Sequence, residues 1–196
     1  MMSYVYDESR AAEAAAWLLC RRGAPMTFLK LLKLLYMADR ESLRLRGVPL
    51  TGDAMVSMDK GPVLSRTYDL IKGSGTDPAA QARWNAYVCR PDPNGWIVKS
   101  RVEPAATGGD TDWFPSLSES DRDILNSTDA AYGAMTESEL IEVGHQLPEW
   151  EDPKGSSIRI DPVRILEDVG MSPEQIRALS VAAQERHALR RALGLR

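Results

Sequence analysis

Only two residues of the chain carry an imidazole, His145 and His187, and neither has a spacing typical of a metalloenzyme or hydrolase. The motifs HExxH, CxxC, GxSxG and the Walker-type GxxxxGK do not occur. Glu149, Glu151 and Asp152 follow His145 closely enough to suggest a metal cluster, but a proline-bounded loop favours solvated acids. His145 ends a predicted helix, where its ring can donate to carbonyls without a helical partner. The sequence therefore predicts no catalytic residues, no metal site and no cofactor.

Two lysines, Lys30 and Lys33, lie on a segment whose apolar residues surround a helix almost completely. A lysine in that setting either extends its ammonium group to water or meets a buried acid. Two interpretations therefore remain open. The lysines form a solvated polar line, or they position a neighbouring loop or partner.

Capping residues and glycines divide the chain into helices. Thr27 starts a helix that Gly47 ends, and its apolar residues recur at the spacing of a buried helix. Ser118 and Thr136, each followed three residues later by an acid, start two more helices. Together these signals predict helices over residues 9–22, 27–46, 63–72, 118–132, 136–145, 161–170 and 172–193.

One pair of strands is predicted, over residues 84–89 and 96–102, because an Asn-Gly turn at 94–95 favours a hairpin between them. A polar loop is predicted over residues 103–116. The fold class is therefore mainly α (α+β with minor β), a compact domain of about seven helices with one small β-hairpin near 84–102. We expect residues 1–171 to form this domain and residues 172–196 a C-terminal helix. The apolar face of that helix gives way to arginines, so it either frays or docks on a partner.

Charge is distributed unevenly within a net charge of −4. Residues 1–50 carry eight Lys/Arg against five Asp/Glu, and residues 101–155 carry three against thirteen. Without a basic excess, no nucleic-acid partner is expected. The acidic middle is either simply solvated or complements a basic protein.

The chain shows no signal for export or membrane insertion. No apolar run approaches the length of a membrane span, and the first ten residues are acidic and polar where a signal peptide is basic and apolar. Cys20 and Cys89 are too few for a disulfide framework. We expect a cytoplasmic protein with no membrane partner.

A dense motif occupies residues 26–73. Its members are Met26, Thr27, Lys30, Leu31, Lys33, Leu34, Leu35, Tyr36, Ala38, Asp39, Gly47, Pro49, Leu50, Gly61, Pro62, Val63 and Tyr68. Further along stand Tyr132, Gly133, Leu140, His145 and Trp150. The order and spacing of these residues resemble the hallmark of the SocA-like, or Panacea-domain, antitoxins of bacteria and prophages. The resemblance covers about residues 10–170, and its residues either hold the fold or contact a toxin.

The resemblance implies a non-enzymatic antitoxin that neutralises a cognate toxin by direct protein–protein binding. A second hypothesis is a proteolytic adaptor that delivers the toxin to a AAA+ protease, with the arginine-rich C-terminal helix as the contact. A third is a phage-derived effector that binds a host protein, or an enzyme of unrecognised type. An enzyme requires a pocket in which titratable groups converge.

Overall fold

A computed structural model describes residues 2, 4–92, 94–103 and 113–193. Its helices are α1 (Glu8–Arg22), α2 (Phe28–Arg46), α3 (Ser65–Lys72), α4 (Pro78–Tyr87), α5 (Glu119–Tyr132), α6 (Glu137–His145), α7 (Pro162–Asp168) and α8 (Pro173–Ala192). Its strands are β1 (Met26–Thr27), β2 (Met55–Met58), β3 (Gly61–Leu64), β4 (Val88–Cys89), β5 (Ile97–Ser100) and β6 (Ile158–Arg159). The mainly α fold class with minor β is confirmed. Most of the predicted loop at 103–116 lies outside the described residues.

Helix α2 is the centre of the domain. The Thr27 hydroxyl accepts from the backbone N–H of Lys30 to cap its start, and Gly47 ends it in the left-handed conformation with φ 70°. Helices α1, α5, α6 and α7 and strand β3 all pack against it. The leucines of α2 are buried on every side except at Leu45, and each fully buried one contributes about 1.5–3 kcal/mol.

Strands β2 and β3 form a hairpin that the sequence did not predict. They pair antiparallel, with Val56 opposite Val63, and β6 adds to the other edge of β2 through Ile158. The helix predicted from residue 63 therefore starts two residues later, at Ser65. A remote carboxylate supplies the cap, because Asp53 accepts from the backbone N–H groups of Arg66 and Thr67.

The second sheet has the order β1-β5-β4. The predicted strand over residues 84–89 is wrong for most of its length. Asp77 caps a helix with Pro78 in its first turn, and that helix runs through Trp84 to residue 87. Of the predicted strand 84–89, only Val88 and Cys89 pair with β5, so the predicted hairpin is confirmed in a shortened form. Helix α4 raises the number of described helices to eight.

Helix α8 contacts helix α7 and the end of α2. Ile176 and Ala183 are buried, and Leu179 lies on Gly47, where an added Cβ would come 2.6 Å from a Leu179 methyl carbon. Nearer the C-terminus, Leu189 and Leu193 are exposed. Within the described part of the chain, none of the helices combines the length and the apolar character that crossing a bilayer requires.

Candidate functional site

Lys33 lies at the centre of the motif and is shielded from water. Its side chain is completely buried, and Nζ donates to the carbonyl of Pro62 on strand β3 at 2.8 Å. Burial lowers the pKa of the Lys33 ammonium group from 10.5 to about 7. None of the ion pairs among the described residues involves Lys33. The solvated line considered from the sequence is therefore wrong for this residue, whose partner is a backbone carbonyl.

The glycine beside Lys33 makes this contact possible. Gly61 has φ 85°, and an added Cβ would lie 2.8 Å from Lys33 Nζ and 3.4 Å from the His145 ring. On the other side, Gly144 brings α6 against Pro62, so that a Cβ there would lie 3.0 Å from the proline ring. The β2–β3 hairpin is thus packed between α2 and α6 without space for another side chain.

His145 and Trp150 hold the hairpin from the outside. The His145 Nε2–H donates to the carbonyl of Asp59 at 3.0 Å, and the Trp150 Nε1–H donates to the carbonyl of Met58 at 3.1 Å. The two rings pack against each other at a tilt of 30°, with centroids 4.2 Å apart. His145 therefore binds a strand-turn carbonyl, where the sequence predicted carbonyls of its own helix. We call Lys33, His145 and Trp150 the hairpin clamp.

Lys30 secures a different turn. Its Nζ donates to the carbonyl of Met135 at 2.7 Å, between α5 and α6, and its side chain is partly exposed. The neighbouring Thr27 hydroxyl donates to Glu137 at 2.5 Å. The two predicted motif lysines, three residues apart on α2, thus each donate to a backbone carbonyl from another part of the chain, Lys33 to a strand and Lys30 to a turn.

Glu149 is the residue that sequence reasoning placed wrongly. Expected as a solvated loop acid, it is completely buried and accepts from the Tyr36 hydroxyl and from Arg40 Nε, each at 2.8 Å. Arg40 also pairs with Asp168 of α7 at 2.6 Å. Glu151 is exposed, as expected. No spacing in the sequence signals this network, because its members come from three distant segments.

Asp39 fixes the turn after α2. Its two carboxylate oxygens accept from the backbone N–H and the hydroxyl of Thr51, at 2.7 and 2.6 Å. Burial raises the pKa of the Asp39 carboxyl to about 7, against the opposing effect of the Thr51 bonds. Pro49 and Gly47 lie in the turn so held, where Ser42 donates to the Val48 carbonyl.

The last predicted motif residues divide between core and surface. Val63 is buried opposite Val56 in the hairpin. Tyr68 is half-buried, and its ring lies 6.1 Å from that of Phe28. Phe28 in turn lies 5.6 Å from Trp96, which is 58% exposed. Sequence reasoning named Tyr68 as a motif residue but did not predict this surface group, whose other members are Phe28, within the motif, and Trp96, beyond it.

The buried polar groups of the motif are therefore used to hold loops on a central helix. Lys33, Tyr36 and Asp39 are each hydrogen-bonded to another group of the same chain. None of them lies beside a nucleophile–base pair among the described residues. Within the described residues no group of three His, Cys, Asp or Glu side chains has the arrangement of a metal site. The geometry defines a mainly helical scaffold with two small sheets, stabilised by interior polar bonds.

Comparison with protein-family models identifies the family of this chain. The family model described as antitoxin SocA-like, Panacea domain, matches residues 31–151, which is more than half of the chain. The chain belongs to the SocA-like, Panacea-domain antitoxin family. All three residues of the hairpin clamp and the Tyr36–Arg40–Glu149 network lie within the matched range. No curated protein and no solved structure matched the chain.

Proposed function

We propose that this protein neutralises a toxin by stoichiometric, direct binding and performs no reaction. Family membership supports an antitoxin role in general, with a toxin as partner. The motif itself supports binding as the mode of action, because its internal lysine, Lys33, is enclosed by Pro62, Gly61 and the His145 ring. A side chain so enclosed cannot reach a substrate. The motif builds a rigid support, and binding falls to the surface around it.

Coexpression with the protein encoded by the adjacent reading frame tests this proposal. The neighbour alone should arrest growth, and coexpression should restore growth and yield a complex of fixed stoichiometry on gel filtration. A neighbour that is harmless alone, or growth that is restored without any complex, would contradict direct neutralisation.

The non-enzymatic part of the proposal has its own test. If neutralisation is binding, the toxin recovered from the complex under denaturing conditions should have an unchanged mass. Its activity should return when it is separated from the antitoxin. A covalently altered toxin, or catalytic protection at far below equimolar antitoxin, would instead indicate an enzyme.

A second candidate function is delivery of the toxin to a AAA+ protease. Leu189 and Leu193 favour it, since both are more than half exposed near the end of α8 and could be read by another protein. Toxin half-life should then depend on both the protease and the C-terminal helix. Equal half-lives with the full-length chain and with Leu189→Ser/Leu193→Ser would exclude this role.

A further inference from the structure

A row of three aromatic rings, two half-buried and one exposed, lies at one end of α2, outside the hairpin clamp. Phe28, Tyr68 and Trp96 come from α2, α3 and the turn before β5, and they form a continuous row with ring centroids 5.6 and 6.1 Å apart. We call these three residues the aromatic strip. Large aromatic rings are uncommon on a surface without a partner and are enriched among the residues that dominate binding energy at interfaces.

Trp96 is held in place although its ring is exposed. Its backbone N–H donates to Asp92 at 2.9 Å, and its carbonyl accepts from the Phe28 N–H at 2.9 Å. Asp92 also accepts from Ile97, so both oxygens of one carboxylate fix the turn. A large ring on a fixed backbone loses little conformational freedom when it enters a partner's pocket.

Two cations flank the strip. Lys72 Nζ lies 4.9 Å from the Tyr68 ring centroid. Arg90 lies against the Trp96 turn, where a Cβ on Gly95 would come 2.9 Å from its Nη1. Both side chains are exposed, and neither forms an ion pair within 4 Å in the described part of the chain. Residues 60–101 as a whole carry seven Lys/Arg against three Asp/Glu, in a chain that is acidic overall.

We propose that the aromatic strip, with Lys72 and Arg90, is the surface that binds the toxin, and that the toxin presents an apolar pocket bordered by carboxylates. This inference rests on the proposed function. The exposed Trp96 ring supplies the anchor that the partner buries, and the two cations pair with acids at the rim, which speeds association and selects the partner. A single-stranded nucleic acid also stacks on aromatic rings, but the net charge of −4 opposes it.

Matched variants test the surface. The wild-type complex with the product of the adjacent reading frame is established first. If no complex forms, the proposed function fails before any variant is made, and this inference fails with it. Trp96→Ser should then raise Kd by ~30-fold or more, the loss typical of an aromatic residue that a partner buries completely. Trp113→Ser is the control, because Trp113 is 55% exposed and belongs to no aromatic pair among the described residues. It should change Kd by no more than about threefold.

Charge reversal gives an independent reading. Lys72→Glu/Arg90→Glu should slow association about tenfold at low salt and weaken its salt dependence. Lys154→Glu/Arg177→Glu makes the same change in net charge elsewhere on the protein and should not slow association. Thermal unfolding of every variant excludes loss of the fold as the cause.

Two outcomes would overturn the assignment while leaving the proposed function intact. One is that the wild-type protein forms a complex and Trp96→Ser changes the Kd of that complex by no more than about threefold. The second is tight binding of a fluorescein-labelled 20-nucleotide poly-uridine that Trp96→Ser abolishes, which would make the strip a nucleic-acid platform.

Discussion

Lys33→Met changes the pH dependence of stability in a direction that the structure fixes. In the unfolded chain Lys33 keeps its proton up to a pKa near 10.5, whereas in the folded protein burial lowers that pKa to about 7. Between these values the unfolded chain binds more protons, so the free energy of unfolding rises with pH. The charged ammonium group destabilises the fold fully below pH 7, and this destabilisation is relieved as pH approaches 10.5.

The magnitude follows from the two pKa values. At 1.36 kcal/mol per pKa unit, the Lys33 contribution to the free energy of unfolding rises by roughly 3 kcal/mol between pH 7 and pH 9.5. Lys33→Met has no group to titrate and should lack this rise. Other groups that titrate in the same range are common to both proteins and cancel in the difference.

Urea unfolding followed by tryptophan fluorescence measures this difference at several pH values. Lys30→Met is the matched control, because it removes a lysine three residues earlier on α2 that also donates to a carbonyl but keeps contact with solvent. The control should keep the wild-type rise, since Lys33 is retained. Parallel curves for wild type and Lys33→Met would refute the reasoning and show that the ammonium group is hydrated in the folded state.

Three further predictions concern the same interior. Burial raises the pKa of the Asp39 carboxyl from 3.8 to about 7, so the folded state binds more protons than the unfolded chain in that range and the wild type loses stability as pH rises from 4 to 7. Asp39→Asn should not show this loss, which urea midpoints across the same pH range measure. Glu149→Gln should lower the free energy of unfolding by about 2–4 kcal/mol, since it leaves Arg40 facing a neutral amide, whereas exposed Glu151→Gln should cost below about 0.5 kcal/mol. Gly61→Ala should destabilise by about 2–4 kcal/mol in the same assay, against about 1 kcal/mol for Gly155→Ala, which has φ 83° but open space around it. Equal losses for the two glycines would contradict the packing around Lys33.

Helix ends were predictable because their signals are local. Thr27 and Gly47 bound α2 within one residue of expectation, and the capping boxes at Ser118 and Thr136 form as predicted. Helix α4 was missed although Asp77-Pro78 is a sound start signal, because its residues lack an apolar periodicity and Trp84 to Tyr87 resemble a strand.

Interior polar contacts were not predictable, since each joins segments far apart in sequence. Glu149 was expected to be solvated because acids in loops usually are. Its hydrogen bonds from Tyr36 and Arg40 offset the cost of burying its charge. Lys33 shows the same limit. Periodicity placed it on α2, but the carbonyl that accepts its hydrogen bond belongs to a hairpin of two four-residue strands that no sequence pattern indicated.

The separation in sequence between Tyr36 and its acceptor Glu149 has a consequence for biosynthesis. The carboxylate that accepts from its hydroxyl lies 113 residues later in the chain. A ribosome takes roughly 6–20 s to add that length. During this interval helix α2 has been synthesised, but some of the later helices that pack on its apolar side chains have not. Translation products interrupted before residue 149 therefore contain the motif of α2 without the carboxylate that closes its interior.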